Sequence, residues 1–180
     1  MAGEWEQVRA RVVLDNPRLT VREDDVRAPG GADRSFTVGM TGDAVSVIAV
    51  ADDGRVVFVR QHRYPVGQWT LEVPAGGVAR GSDPLAQAQA ELAEETGATA
   101  TTWSALGRFF PMPGRLDAQF HLFLATGFDG NRLGAPAPSE DEWIDEIVLV
   151  PIDELGALVA SGAISDGCSL AALALWWAQR

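Results

Sequence analysis

One stretch, a turn followed by a capped helix, constrains this chain more than any other. Pro84 stands at a first helical position, where proline is best tolerated, and Asp83 or Ser82 precedes it as the N-cap. Gly97 supplies the left-handed residue that commonly ends a helix. The sequence therefore predicts a helix over residues 84–96.

The second half of this helix carries three acids at helical spacing. Glu91, Glu94 and Glu95 are related by steps of three and four, so we expect them to crowd one patch. Like charges at this spacing cost roughly 0.2–0.5 kcal/mol per pair, and acids near a helix end also face the negative end of the helix dipole. Hard cations such as Mg²⁺ or Mn²⁺ would relieve this cost, since they bind carboxylates and phosphates. The alternative is a solvated acidic helix end.

Two adjacent glycines, Gly76 and Gly77, precede the helix and are predicted to form a tight turn. Glycine has no Cβ, so the backbone can approach a bound ligand closely at such a turn. We therefore take both glycines as candidate substrate contacts.

The whole stretch resembles the Nudix box, whose pattern is Gly-x5-Glu-x7-Arg-Glu-U-x-Glu-Glu-x-Gly-U, with U a bulky aliphatic residue. With Gly76 at the first position, the matching residues are Glu91, Leu92, Glu94, Glu95 and Gly97. The chain departs from the pattern where Ser82 replaces the first Glu, Ala90 replaces the Arg and Ala98 replaces the last aliphatic residue. The Nudix box of this chain is therefore degenerate.

Upstream residues resemble the ADP-ribose pyrophosphatase branch of the Nudix family. Residues 61–63 match a Gln-x-Arg tripeptide, and residues 71–76 match a Leu-Glu-x-Pro-Ala-Gly run. The resemblance implies that Gln61 and Arg63 bind substrate, Arg63 through a phosphate, and that the Ala75 carbonyl joins the metal shell. The alternative for Arg63 is a surface salt bridge at a strand end. Glu72 is expected to point away from the site.

Two later segments continue the resemblance. Pro113 stands where ADP-ribose-type enzymes carry a Ser-Pro-Gly element, which implies a substrate contact; ordinary turn chemistry is the alternative. A Gly-, Ala- and Pro-rich loop over 129–138 leads to an acidic run. In related enzymes such a run deprotonates water or completes the metal shell. We assign Glu140 as the base and Glu142 as a metal ligand, with a solvated acidic loop as the alternative.

Together the resemblance implies Mg²⁺ or Mn²⁺ held by four residues, with three acids taking part in catalysis. The metal ligands are Ala75, Glu91, Glu95 and Glu142, and the catalytic acids are Glu94, Glu95 and Glu140. The metal would neutralise the diphosphate and lower the pKa of bound water.

Composition narrows the classes of partner and the compartment. The net charge of −11 argues against sequence-independent nucleic-acid binding, and all 14 basic residues are arginine, which suits phosphate recognition. One cysteine, Cys168, excludes an internal disulfide framework. Acidic residues near the N-terminus and the absence of a long apolar run predict a cytoplasmic protein without a membrane span.

The pattern of strands and helices predicts an α/β fold with a mixed β-sheet, and the resemblance implies a Nudix-type α/β/α sandwich. A strand-rich N-terminal layer over 1–40, expected to dimerise, precedes a hydrolase domain over 41–180. Predicted strands are 43–50 and 56–60, joined as a hairpin, then 101–110, 119–125 and 146–150. The predicted helices after 84–96 are one that begins at 151 or 152 and ends at 160, and one over 167–179 that buries Leu170, Leu173 and Trp177.

The function implied is metal-dependent hydrolysis of the diphosphate linkage in a nucleoside diphosphate derivative, first of all ADP-ribose or an ADP-sugar. The products are a nucleoside monophosphate and a phosphorylated moiety, and the enzyme is expected to be a homodimer. The rival is a catalytically weakened Nudix domain that binds nucleotides or regulates. Ser82 and Ala90 are the basis of that rival.

Overall fold

A computed structural model describes residues 3–136 and 143–180. Its strands are β1 (Glu6–Asn16), β2 (Leu19–Arg27), β3 (Asp33–Met40), β4 (Asp43–Val50), β5 (Arg55–Arg63), β6 (Gln68–Glu72), β7 (Ala75–Val78), β8 (Thr102–Phe109), β9 (Phe120–Thr126) and β10 (Ile144–Pro151). Its helices are α1 (Pro84–Thr96), α2 (Leu155–Ser161) and α3 (Gly167–Ala178). None of the helices in these two ranges has both the length and the apolar character to cross a membrane.

The described chain forms two compact units. The first contains the residues up to Gly42 together with Phe110–Gln119, and the second contains Asp43–Phe109 together with Phe120–Arg180. The proposed division into domains 1–40 and 41–180 remains a prediction.

The first unit is a three-stranded antiparallel sheet in the order β1-β2-β3. The segment 110–119 joins it at β3, because the Gly39 N–H donates to the Arg115 carbonyl at 2.8 Å and the Asp117 N–H donates to the Gly39 carbonyl at 3.3 Å. Strand β1 is exposed along its whole length, including the apolar side chains of Val8 and Val12. Among the described residues of its unit, this strand therefore has one partner strand and no covering layer.

The second unit is built on a mixed sheet in the order β10-β5-β4-β9-β8, with β6 paired to β5 and β7 paired to β4. Strands β4 and β9 run parallel, and the other pairs are antiparallel. The predicted hairpin has its strands and turn in place, but β4 and β5 pair only at Val50 and Val56. Beyond that pair each strand takes other neighbours, because β7 and β6 insert along them.

Helices cover both faces of this sheet. Ala88 and Leu92 of α1 pack with Val45, Val47 and Val57 on one face. On the other face a second cluster joins α2 and α3 to the sheet through Leu155, Leu173, Trp176, Ile48, Phe58 and Leu122. Alternate residues of β4 and β5 face opposite clusters, as the period of a strand requires. The predicted α/β/α sandwich is therefore confirmed.

Helix α1 begins and ends at the predicted residues. The Asp83 carboxylate accepts from the Leu85 N–H at 3.1 Å, Pro84 occupies the first turn, and Gly97 closes the helix with a φ of 69°. These are local signals, so the sequence carries them without reference to the rest of the fold.

The two C-terminal helices differ from prediction in detail. The predicted helix over 152–160 is a 3₁₀ turn, Ile152–Glu154, followed by α2. Trp177 is 40% exposed, so its assignment to the buried side of α3 is wrong. The buried residues of α3 are Ser169, Ala172, Leu173 and Trp176. Helix α3 is apolar nearly all round, and its pattern therefore does not single out one face.

Candidate active site

The glycines ahead of α1 lie in a strand, which corrects the predicted turn. Residues 75–78 form β7, in which Gly76 pairs with Val45 of β4. A Cβ built on Gly76 would collide with the carboxylate of Glu91, whereas one built on Gly77 would meet no atom within 4 Å. Gly76 is therefore required for the close approach of α1 to β7.

Two glutamates of α1, one helical turn apart, lie against this strand. Glu95 is 4% exposed, and its Oε2 accepts a hydrogen bond from the Ala75 N–H at 3.2 Å. Glu91 is half-buried against Gly76, and its Oε1 accepts from the Gln87 Nε2 at 2.8 Å. Both carboxylates are thus held beside β7 by contacts that fix their orientation.

Glu94 does not join this pair, because its side chain is exposed to solvent. Across 3–136 and 143–180 no three His, Cys, Asp or Glu side chains are grouped closely enough to hold a metal ion. The predicted patch of three acids is therefore a pair plus an outlying residue. A step of one residue turns a helix by about 100°, which separates Glu94 from Glu95.

The residues beside β7 fit a hard divalent cation. Mg²⁺ is usually held by one or two carboxylates and completes its shell with water and substrate phosphates. Glu91 and Glu95 supply two carboxylates, and the space beside Gly76 that a Cβ would fill is occupied by one of them. The donor set consists only of oxygen atoms, which is the chemistry such a cation prefers.

Arg63 and Glu72 form a two-point ion pair at the end of β5 and β6. The Arg63 Nε donates to Glu72 Oε1 at 3.0 Å, and the Nη2 donates to Oε2 at 2.7 Å. Glu72 is 6% exposed, whereas Arg63 keeps about a third of its side chain exposed. The expectation that Glu72 points away from this site is wrong, because its carboxylate lies on Arg63.

Gln61 and Thr70, which pair across β5 and β6, complete this cluster. The Thr70 hydroxyl donates to Glu72 Oε1 at 2.6 Å, and the Gln61 Nε2 lies 3.4 Å from Oε2. Gln61 and Arg63 follow Val57 at even spacing along β5, so they lie on the face of the sheet that α1 covers. The Arg63 cluster, which consists of Arg63, Glu72, Gln61 and Thr70, therefore lies on the same face of the sheet as α1 with its glutamates.

Sequence reasoning missed the roles of Glu72, Thr70 and Gln87. The signal for Gln87 was present, since it precedes Glu91 by four residues and such pairs meet on a helix. Thr70 and Glu72 had no comparable signal, because their partners lie on another strand and depend on the β5–β6 register.

The beginning of α3 lies next to this cluster. The Ser169 Oγ accepts from the Val73 N–H at 2.9 Å, and the Asp166 carboxylate caps the helix by accepting from the Ser169 N–H at 2.9 Å. Burial, reinforced by the carboxylates of Asp166 and Glu72, raises the pKa of the Cys168 thiol to about 12. We therefore expect Cys168 to be protonated at neutral pH, the form in which a thiol is a weak nucleophile.

The acidic segment with Glu140 and Glu142 lies outside the described residues. The described chain before it is attached to the end of α1, where the Gly134 N–H donates to the Thr96 carbonyl at 2.9 Å. The chain after it is attached to β5, where the His62 N–H donates to the Trp143 carbonyl at 3.3 Å. Pro113 belongs to the first unit, and its assignment as a substrate contact stays a prediction.

In this sandwich a capped helix holds two carboxylates beside a glycine-containing strand, an arrangement suited to a divalent cation that binds substrate phosphates. A family model described as NUDIX domain matches residues 40–173, and the chain belongs to the Nudix family. It is a Nudix pyrophosphohydrolase, of a family whose members hydrolyse nucleoside diphosphate derivatives and generally use divalent metal ions.

Several proteins resemble the chain over most of its length. An ADP-ribose pyrophosphatase of Bacillus subtilis (strain 168) is 32% identical over 161 residues, which cover 89% of this chain and 83% of the relative. A methanol dehydrogenase activator of Bacillus methanolicus is 30% identical over 170 residues, covering 94% and 91%. A crystal structure of an ADP compounds hydrolase covers 99% of this chain and 95% of its own, with a TM-score of 0.85 at 17% identity, and supports the fold.

Proposed function

We propose that this enzyme uses Mg²⁺ or Mn²⁺ to hydrolyse the diphosphate linkage of ADP-ribose or an ADP-sugar. The products are a nucleoside monophosphate and a phosphorylated moiety. The observation that carries the proposal is the placement of Glu91 and Glu95 side by side against Ala75 and Gly76. The single cysteine without a disulfide framework supports the further proposal that it works in the cytoplasm.

In this proposal Glu91, Glu95 and the Ala75 carbonyl hold the metal, and Glu142 completes the shell. The bound metal would supply charge neutralisation at the diphosphate and a more acidic water molecule. The hydrogen bond from Ala75 fixes the buried Glu95, and Gln87 fixes Glu91, so both carboxylates are oriented before a ligand arrives. Such preorganisation reduces the cost of assembling the site.

Substrate binding is assigned to Arg63, Gln61 and the backbone at Gly76 and Gly77, with Pro113 as a further contact. Guanidinium groups match phosphate oxygens in two-point geometry, which suits Arg63 to a diphosphate. An enzyme with a net charge of −11 needs such a placed cation, because its overall field repels anions.

The general base of the proposal is Glu140, with Glu94 and Glu95 as further catalytic carboxylates. The hydrogen bonds of Gly134 to α1 and of Trp143 to β5 support this assignment, because the described residues before and after the acidic segment are bonded to elements that carry the site. A carboxylate brought there would be able to take the proton of an attacking water.

The choice of substrate rests on the relatives. Besides the ADP-ribose pyrophosphatase of B. subtilis, an ADP-sugar pyrophosphatase of Mus musculus is 36% identical over 168 residues, covering 89% of this chain and 74% of its own. One relative carries the name of an activator of another enzyme, and the degenerate box has Ser82 and Ala90. These two facts favour a second candidate, a nucleotide-binding regulatory module with weakened catalysis.

An activity screen decides between the two functions. ADP-ribose, an ADP-sugar and GDP-mannose would each be incubated with the protein in Mg²⁺, in Mn²⁺ and in EDTA, while phosphorylated products are measured. We expect turnover of an ADP compound with metal and none in EDTA. Activity that persists in EDTA overturns the metal assignment, and inactivity on every compound with intact nucleotide binding establishes the regulatory module.

A further inference from the structure

We propose that Glu72 is a positioning residue that orients Arg63 toward the phosphate of the substrate. This inference rests on the proposed function, because it requires that Arg63 binds phosphate. The observation behind it is the two-point pair in which both Glu72 oxygens accept from one edge of the guanidinium, at 3.0 and 2.7 Å.

The geometry of the pair determines what Arg63 presents. A guanidinium has two edges suited to two-point contacts, one formed by Nε and Nη2 and the other formed by the two Nη atoms. Glu72 takes the first edge, so the plane of the group is fixed and the second edge is directed away from Glu72. A phosphate that binds this second edge contacts an arginine side chain whose rotamer is already fixed, which lowers the entropy cost of binding.

Glu72 itself is held from two sides. The Thr70 hydroxyl donates to Oε1 at 2.6 Å and the Gln61 amide lies 3.4 Å from Oε2, so neither oxygen depends on Arg63 alone. The next residue, Val73, is fixed to α3 through its N–H bond to the Ser169 Oγ at 2.9 Å. The carboxylate therefore belongs to the rigid part of the fold.

A carboxylate is required here because its neighbours are all donors. Arg63, Thr70 and Gln61 direct N–H or O–H groups at the two oxygens of Glu72. A glutamine at this position keeps the size of the side chain but turns an NH₂ group toward one set of donors. It would lose part of the charge-assisted bonding and release the Arg63 plane.

The test compares Glu72→Gln and Thr70→Val with Thr70→Ser and Gln179→Ala. KM and kcat for ADP-ribose in Mg²⁺ and the melting temperature are measured for each variant. We expect Glu72→Gln to raise KM about 10-fold with little change in kcat, the loss expected when a charge-assisted hydrogen bond is weakened. Thr70→Val should raise KM in the same direction, and Thr70→Ser should retain the wild-type value because it keeps the hydroxyl.

Gln179→Ala is the control for a structural effect. It removes the hydrogen bond that the Gln179 Nε2 donates to the Leu106 carbonyl at 2.6 Å, a contact that holds neither Glu72 nor Arg63, and it should lower the melting temperature while leaving KM unchanged. If Glu72→Gln and Thr70→Val likewise lower only the melting temperature, Glu72 is a structural ion-pair partner and the inference is overturned. Should Glu72→Gln not fold, the comparison of Thr70→Val with Thr70→Ser gives the same decision.

A double-mutant cycle with Arg63→Ala separates this inference from the function it rests on. With Arg63 absent, Glu72→Gln should raise KM no further, and additive effects would overturn the inference. If Arg63→Ala raises KM and Glu72→Gln does not, the inference is overturned while the proposed function stands. If Arg63→Ala leaves KM unchanged, Arg63 does not contact the substrate phosphate, and both that part of the proposed function and the inference are overturned.

Discussion

At the scale of single residues, Glu91 and Glu95 have different surroundings although both carboxylates lie on β7. Glu95 is buried and bonded to the backbone of Ala75, whereas Glu91 is half-buried and bonded to the side chain of Gln87. A buried carboxylate bonded to one backbone amide has few alternative positions. Glu95 should therefore be the more sensitive of the two to substitution.

Replacement of Glu95 by Gln removes a charged metal ligand and keeps the side-chain size. We expect turnover to fall by at least ~10²-fold if Glu95 anchors the catalytic metal. Initial rates with Mg²⁺ on ADP-ribose measure the effect. Gln89→Ala, an exposed substitution on the same helix, is the control and should keep the wild-type rate. A near wild-type rate for Glu95→Gln would mean that Glu95 does not hold the catalytic metal and that its contact with Ala75 is structural.

A second prediction at the residue scale concerns Ser82 and Ala90. The Nudix box pattern has Glu at the position of Ser82 and Arg at the position of Ala90. In the structure the Gln87 side chain donates a hydrogen bond to Glu91, so this carboxylate is held without the arginine of the pattern. Ser82→Glu combined with Ala90→Arg should raise turnover, while each single change should do little or harm, since one charge lacks its partner.

The expected coupling between the two changes is roughly 0.5–3 kcal/mol in the activation free energy. Rates of all four variants in one metal-supplemented assay measure it. Additive effects would mean that the two positions do not act as a pair. Inactivity of all four variants with intact ligand binding would favour the regulatory module.

At the scale of elements, the contact between α1 and β7 depends on the glycine at position 76. Gly76→Ala should push the Glu91 carboxylate away from the strand and lower the melting temperature, because the new Cβ overlaps that carboxylate. A loss of about 1–3 kcal/mol in the free energy of unfolding is expected. Chemical denaturation of the metal-free protein measures it.

Gly77→Ala is the matched control for this substitution. The two glycines are neighbours in the same strand, and a Cβ on Gly77 meets no atom within 4 Å. Its φ lies outside the left-handed region, so alanine should be tolerated or slightly stabilising there. If the two substitutions destabilise the protein equally, the requirement for glycine comes from the strand itself and not from the contact of Gly76 with Glu91.

At the scale of the whole molecule, the exposed strand β1 bears on the oligomeric state. Val8, Val12 and Leu14 of β1 and the preceding Trp5 are each about half exposed, which is much apolar exposure for one short stretch of a monomer. This exposure supports the proposal that the N-terminal layer takes part in a homodimer, which the resemblance to ADP-ribose pyrophosphatases also implies.

Light scattering at working concentration should therefore give the mass of a dimer. Val12→Glu should shift the equilibrium toward the monomer, because it places a charge among the apolar side chains of β1. Val66→Glu, at an exposed valine of the second unit, is the control and should leave the mass unchanged. A wild-type protein that scatters as a monomer would contradict the proposal.

The sequence by itself determined the features that depend on near neighbours along the chain. The bounds of α1 follow from Asp83, Pro84 and Gly97, and the alternation of β4 follows from a period of two. The residues of the box identify the Nudix family without any structure. These signals are local, because caps, turns and periodicity act over a few residues.

Only the tertiary structure decided which distant residues meet. In the structure Glu94 is exposed and lies apart from Glu91 and Glu95, and the predicted glycine turn is part of strand β7. The Glu72 carboxylate binds Arg63 instead of pointing away from it. The tertiary structure also selected the buried face of α3, which a helix apolar on nearly all sides leaves open. Each of these outcomes depends on strand register and on the packing of one element against another, and no short stretch of sequence carries either.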